Sequence, residues 1–310
     1  MAPVDAVVPA KLAGLRLDQA LVRLFPQYSR NRLQAWLRTG HIELDGAHRE
    51  ASESVLGGER VRLAPPSEAS AALPKAQKLP LAVVYEDKDL IVLDKPVGLV
   101  VHPGAGVPDH TLLNALLAYA PELARVPRGG IVHRLDKDTS GLLVVARTVE
   151  AQASLARQLA ERTMHRSYLA VVQGDPPASG LIDAPIGRDQ RARTRMAVSH
   201  RGKEARTRYR VIERFGEAAV VECRLETGRT HQIRVHFQHI RHPLVGDPVY
   251  QRGTRHLLHF ARQALHACEL ALIHPRSGKP MTWRSTLPED MRQLIETLRN
   301  MEAPPAGRKR

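Results

Sequence analysis

A chain of 310 residues has room for about two domains, and 43% apolar residues supply packed cores rather than wholesale disorder. Lys and Arg number 46 against 32 Asp and Glu, a net charge of +14 that points to a polyanion: nucleic acid first, an anionic membrane second. No apolar run approaches the roughly 18 residues that a bilayer span needs. Residues 1–10 lack the basic start of a secretory signal and carry Asp5. Two cysteines, Cys223 and Cys268, are too few for a disulfide framework or a thiolate metal cage. The expectation is a soluble, cytoplasmic protein that meets RNA or DNA and no membrane.

Residues 12–64 read as a small unit of two helices and short strands. Leu17, Ala20, Leu21, Leu24 and Phe25 recur at helical spacing. Ser29 can cap a second helix with Leu33, Trp36 and Leu37 on one stripe and Gly40 as its stop. Residues 41–44 and 59–63 read as strands, with a turn at Asp45-Gly46. The polar side of the second helix carries Arg30, Arg32 and Arg38. The stretch RLDQALVRLFPQYSRNRLQAWLRTGHIELDG resembles the αL RNA-binding module first described in a small-subunit ribosomal protein, which would place those arginines on RNA.

Residues 65–79, rich in Pro, Ala and Ser, read as a linker. From 80 to 301 the pattern is β-rich with interspersed helices: strands at 82–85, 90–93, 131–132, 142–146 and 220–225, and a helix at 112–119. A last helix opens at Pro288 with a stripe of Met291, Leu294, Ile295, Leu298 and Met301. Residues 302–310 form a basic tail. Strands and helices without a regular βαβ rhythm argue for an α+β domain on a mixed or antiparallel sheet.

Three polar segments stand out. The loop HRLDKDTSG, 133–141, sits between apolar strands, where a rigid sheet can hold catalytic groups; local chemistry alone favours a turn in which Asp138, Thr139 or Ser140 caps backbone N–H groups. GRTHQIRVH, 228–236, follows a strand. Its His231 and His236, with His239 and His242, do not show the spacing of a zinc site, so no metal is expected. Residues 191–210 hold eight Arg or Lys and one Glu, which favours phosphate contact through Arg191, Arg193, Arg195 and Lys203.

HRLDKDTSG and GRTHQIRVH, with VLDKPVGLVVHP at 92–103, resemble the RluA-type RNA pseudouridine synthases over roughly 80–300. HPLVGDPVY at 242–250 and RQALHA at 262–267 resemble the RluD branch, although Gln251-Arg252 stands where that branch more often has Gly. The resemblance implies isomerisation of uridine to its C-glycoside in 23S rRNA, at the helix-69 stem-loop of the large subunit. It implies free rRNA or a large-subunit assembly particle as partner, and neither cofactor nor metal. A tRNA-directed relative and a non-catalytic rRNA-binding assembly factor are the alternatives, and a monomer is expected.

The reaction breaks N1–C1′, turns the base and joins C5 to C1′, and a carboxylate nucleophile divides it into easier steps. Residue by residue the resemblance assigns that role to Asp136, with C6 of the base or C1′ of the sugar open to attack, and leaves Asp138 to cap the loop. It pairs Arg229 with Asp136, since a desolvated carboxylate needs a neighbouring cation to stay ionised. It stacks Tyr168 on the base, and His133 and Arg134 are read as shaping the loop and contacting RNA.

Overall fold

The computed structural model describes residues 3–26, 28, 30–65, 74–104, 106–190, 192, 195–251 and 259–302. The chain divides into two compact units, Met1–Leu73 and Pro74–Arg310.

In the first unit β1 (Val4–Val7), α1 (Leu17–Leu24), α2 (Arg30–Arg38), β2 (Ile42–Leu44) and β3 (Arg60–Leu63) follow in order. The strands form an antiparallel sheet with β3 in the centre. The two helical stripes meet that sheet in one core, where Leu17, Leu21, Leu33, Val61 and Leu63 are fully buried. Asp45 and Gly46 both take positive φ, as a tight turn after β2 requires. The strand paired with β2 is β3, which begins sixteen residues after β2 ends, so 41–63 is a broken hairpin; β1 was not foreseen. Ser29 lies outside the described residues.

The second unit contains β4 (Val83–Glu86), β5 (Leu90–Lys95), α3 (Leu112–Tyr119), β6 (Ser140–Ala146), α4 (Val149–Ala160), β7 (His165–Gln173), β8 (Ser179–Asp183), β9 (Ile186–Arg188), β10 (Met196–Val198), β11 (Arg206–Arg214), β12 (Ala218–Leu225), α5 (Gln232–His239), β13 (Leu265–Ile273), β14 (Pro280–Arg284) and α6 (Glu289–Glu302). One mixed sheet runs β4-β5-β6-β13-β7-β12-β11-β8, with β14 on β13, and β9 and β10 make a separate ribbon. Among the described residues only the β6–β13 strand pairing is parallel. Lys75 and Gln77, in the foreseen linker, are bonded to Asn114 of α3.

Strands β5 and β6 are buried on both faces, which is why they read as continuous apolar runs. Ile91, Leu93, Leu143 and Val145 face a core built with α3, and Leu90, Val92, Leu142 and Val144 face one built with Ala151 and Leu155 of α4. Each such leucine contributes about 1.5–3 kcal/mol by burial. Helix α6 covers Val171 and Val220 with Met291, Leu294, Ile295 and Leu298; Met301 is 61% exposed and lies off the stripe. Ile131-Val132 is not a strand: Ile131 makes one isolated bridge to Val145.

The parallel pairing positions the site. Gly141 has φ +111, and a Cβ there would meet the Ala267 carbonyl oxygen at 2.2 Å. Glycine lets β6 approach β13, bringing Ser140 Oγ within 2.9 Å of His266 Nδ1.

Candidate active site

The loop before β6 carries Asp136 and is held from three directions. Lys95 Nζ, 1% exposed, donates to the carbonyls of Pro96, Leu99 and Lys137 at 2.7, 3.0 and 2.9 Å. Burial pulls the Lys95 pKa down to about 8, against the opposing charges of Asp138 and Asp136. Arg262 donates to the Asp138 carbonyl at 3.1 Å and is fixed by Asp290. Gln263 Nε2 donates to Thr139 Oγ1 at 3.1 Å. VLDKPVG and RQALHA therefore clamp the loop rather than enter the cavity. Among the described residues no backbone N–H is capped by the Asp138 side chain, contrary to expectation; its carbonyl is the group in use.

The cation on Asp136 is Arg234, not Arg229. Arg234 Nη1 donates to Asp136 Oδ2 at 2.9 Å. Its other two nitrogens make a bidentate pair with Asp247, Nε to Oδ2 at 2.7 Å and Nη2 to Oδ1 at 3.0 Å. Burial opposes the charge on Arg234, but the bonds and charges of Asp247 and Asp136 hold its pKa above the ordinary arginine value. Asp247 is itself fixed, its Oδ1 accepting the N–H groups of Val249 and Tyr250. The reason for the difference is positional. Arg229 lies in the turn before α5 and donates Nε to the Glu204 carbonyl at 2.9 Å, whereas Arg234 sits in the first turn of α5 and reaches the loop.

His231, at the start of α5, takes a left-handed φ of 56. Its Nδ1 lies 2.8 Å from Tyr250 Oη, and its Nε2 lies 3.8 Å from Asp136 Oδ1. Burial lowers the His231 pKa despite Asp136, which leaves Arg234 as the fixed positive charge. The Tyr250 ring packs against Arg234 and Arg195, with guanidinium carbons 5.1 and 5.4 Å from its centroid. Gln251 beside it is buried, and Arg252 is outside the described residues.

A cavity of ≈ 430 Å³ opens over this loop, lined by His133, Arg134, Asp136, Arg166, Tyr168 and Arg229 among others. That volume is within the usual ligand-pocket range of about 300–1,000 Å³. Tyr168 is central in the sheet on β7, opposite Cys223 and Ala267. Burial pushes its hydroxyl pKa up, so it meets a ligand as a neutral ring with a protonated oxygen. His133 is neutral: burial drops its pKa to about 3, and Nε2 accepts the Val144 N–H at 3.2 Å. It shapes the loop and offers no charge to RNA. Arg134 is exposed at the rim.

The other foreseen RNA contacts are dispersed. Arg30 is tied to Asp18 at 2.7 Å, Arg32 lies over Trp36, and Arg38 is exposed. Arg191 and Arg193 are outside the described residues; Arg195 stacks on Tyr250, and the Lys203 side chain is exposed. The acids missing from 191–210 in sequence come from neighbouring strands, where Arg206, Arg208 and Arg210 pair with Asp183, Glu226 and Glu222. Of the histidines weighed as metal ligands, His236 bonds Thr207 and Ala184, and His242 bonds Gln173. Sequence reasoning missed Lys95, Arg166, Asp247, Tyr250 and Arg262. Asp247 and Tyr250 stood in HPLVGDPVY, but nothing local showed that they face Arg234.

Residues 89–239 match the family model described as RNA pseudouridylate synthase, and residues 15–61 match the S4 domain. The ribosomal large subunit pseudouridine synthase D of Nitrosomonas europaea is 52% identical over 304 residues, covering 96% of this chain and 88% of that protein. Its counterpart in Escherichia coli K12 is 50% identical over 306 residues (95% and 94%), and that of Pseudomonas aeruginosa 50% over 305 (95% of each). Among solved structures, human RNA pseudouridylate synthase domain containing 4 aligns with TM-score 0.56 at 25% identity, over 70% of this chain and 93% of its own. Human RNA pseudouridylate synthase domain containing 1 aligns with TM-score 0.53 at 28% identity, over 73% and 97%. With an S4 domain ahead of a mixed-sheet unit whose cavity presents an arginine-bound aspartate, the chain belongs to the RNA pseudouridine synthase family.

Proposed function

We propose that the chain isomerises uridines of 23S rRNA, at the helix-69 stem-loop, with Asp136 as nucleophile. The observation that carries this reading is the asymmetry of one carboxylate. Asp136 Oδ2 is held by Arg234 while, among the described residues, no hydrogen bond reaches Oδ1, and the group faces a cavity it shares with Tyr168. A carboxylate anchored through one oxygen and open on the other is suited to attack. Arg234 stays charged when desolvated and fixes the carboxylate plane. Tyr168 offers a ring face to a flipped base, whose extraction costs a few kcal/mol that RNA contacts offset.

N1–C1′ breaks, the base turns, C5 joins C1′, and the C5 proton leaves as N1 gains one, so no redox partner enters. The relatives are named as pseudouridine synthases of the large ribosomal subunit, which supports this reading. The segments resembling the helix-69 branch build this site, through Asp247, Tyr250 and Arg262. No helix among the described residues is long and apolar enough to cross a membrane, and a ribosomal substrate suits a cytoplasmic enzyme.

Pseudouridine mapping in cells with and without the gene tests the reading. Loss confined to the helix-69 loop is the expected result. Loss from a tRNA instead would move the substrate, and unchanged maps with defective subunit assembly would favour a non-catalytic binder.

A further inference from the structure

Arg166 is 8% exposed, lines the cavity that Asp136 and Tyr168 line, and has a buried Nε without a partner. Among the described residues no carboxylate pairs with it. The two other arginines buried to this degree are saturated: Arg234 by Asp136 and Asp247, and Arg262 by Asp290 and three backbone carbonyls. A buried guanidinium with no counter-ion carries a heavy desolvation cost, which an anion entering the cavity would offset.

Two details aim the group at that anion. Gly228 lies against it, and a Cβ there would stand 2.8 Å from Arg166 Nη1. The backbone at Gly228 is not left-handed, so the glycine serves to leave the guanidinium uncrowded. Arg166 and Tyr168 are two residues apart on one face of β7, roughly 7 Å along the strand. The cavity lining holds five arginines against Asp136 and Glu226, and His133, beside Arg166, adds no charge.

We propose that Arg166 binds the backbone phosphate attached to the target uridine, so that β7 holds the base and the phosphate of one flipped nucleotide. This rests on the cavity being the uridine site. The planar fork of arginine matches two phosphate oxygens, a geometry lysine lacks. Burial lowers the Arg166 pKa, yet an arginine stays charged.

The test uses the full chain and a stem-loop RNA containing the mapped uridine. One uncharged methylphosphonate linkage is placed 5′ or 3′ of that uridine, each against a phosphodiester control with the same 2′-O-methyl sugar. Filter binding gives Kd, and tritium release from C5-labelled uridine gives activity. Wild type is expected to lose about tenfold to a hundredfold in Kd at one of the two linkages. Arg166→Met should be weakened to the same degree on the control RNA and lose nothing further at that linkage. Arg166→Lys should fall between the two. Gly228→Ala, which crowds Nη1 and alters no charge, should weaken Kd and blunt the linkage effect, and with the lysine variant it carries the test if Arg166→Met does not fold. Equal linkage losses in wild type and variants, or none in wild type, overturn the phosphate assignment alone. A wild-type chain that releases no tritium from any uridine overturns the reading of the cavity, and this assignment with it.

Discussion

Asp18 in the first unit and Asp136 in the second are both carboxylates bound by arginine, and they do opposite things. Asp18 has a fully buried side chain and accepts from Arg16, Arg30 and Gln34 at 3.2, 2.7 and 2.6 Å. The arginines it holds stay about half exposed, 48% and 50%, so that carboxylate is saturated and its partners are the groups presented to solvent. At Asp136 the order is inverted. The arginine is 5% exposed and locked by Asp247, while the carboxylate is 17% exposed and bonded on one oxygen. One cluster displays cations suited to RNA backbone, and the other displays a carboxylate oxygen open to the cavity. Which member of an ion pair is left unsaturated decides what the pair is for.

The sharpest way to break that contrast is to neutralise both acids of the loop in turn. Asp136→Asn removes charge and nucleophile while keeping shape, so tritium release should fall below detection with RNA affinity equal or tighter. Asp138→Asn, whose carbonyl is the bonded group, should keep most activity. A dead Asp138→Asn beside an active Asp136→Asn would move the nucleophile. Next in size is the choice of arginine. Arg234→Lys should cost about a hundredfold or more in single-turnover rate, since an ammonium lacks the planar fork that holds Asp247 through two nitrogens while the third reaches Asp136. Arg229→Ala should act on binding, lowering the salt slope of log K by about 0.7–0.9 if it meets one phosphate. The reverse pattern would restore Arg229 as the partner of Asp136.

Asp247→Asn tests the lock behind the site. Breaking a buried bidentate pair should cost about 3–5 kcal/mol of stability in urea unfolding, with a weaker effect on Kd for RNA than on rate. A variant as stable as wild type would show that Arg234 is held by other means.

The smallest effect concerns pH. Burial works against the charge of Asp18, but its bonds to Arg30, Arg16 and Gln34 bring the pKa from 3.8 down to about 2. A depressed carboxylate contributes stability that is fully present above 3.8 and lost as pH falls through about 2. In a Trp283→Phe background, Trp36 fluorescence should report acid loosening of the first unit in that window, and Asp18→Asn should flatten that limb. An unchanged profile would mean the Asp18 cluster does not hold the unit together.

Periodicity was enough to place α1, α2 and α6, because each presents an apolar stripe to one core, whereas α3, buried on nearly every side, was legible only as an apolar run. The double burial of β5 and β6 was legible as continuous apolar runs. A polar loop squeezed between apolar segments was enough to single out 133–141, and the resemblance of HRLD to a known family put Asp136 within it. Local spacing could not say which arginine of GRTHQIRVH would bind that aspartate, since the answer depends on where α5 begins and on a contact 98 residues away. Nor could it show that three of the cations in 191–210, Arg206, Arg208 and Arg210, are paired with acids from β8, β12 and the turn after β12. Ion pairing in a sheet follows strand order, and the order β6-β13-β7-β12 exists only once the chain has folded. For the same reason the isolation of Arg166 is invisible in sequence: a buried charge without a partner is defined by everything that fails to reach it, and only the packed structure specifies that.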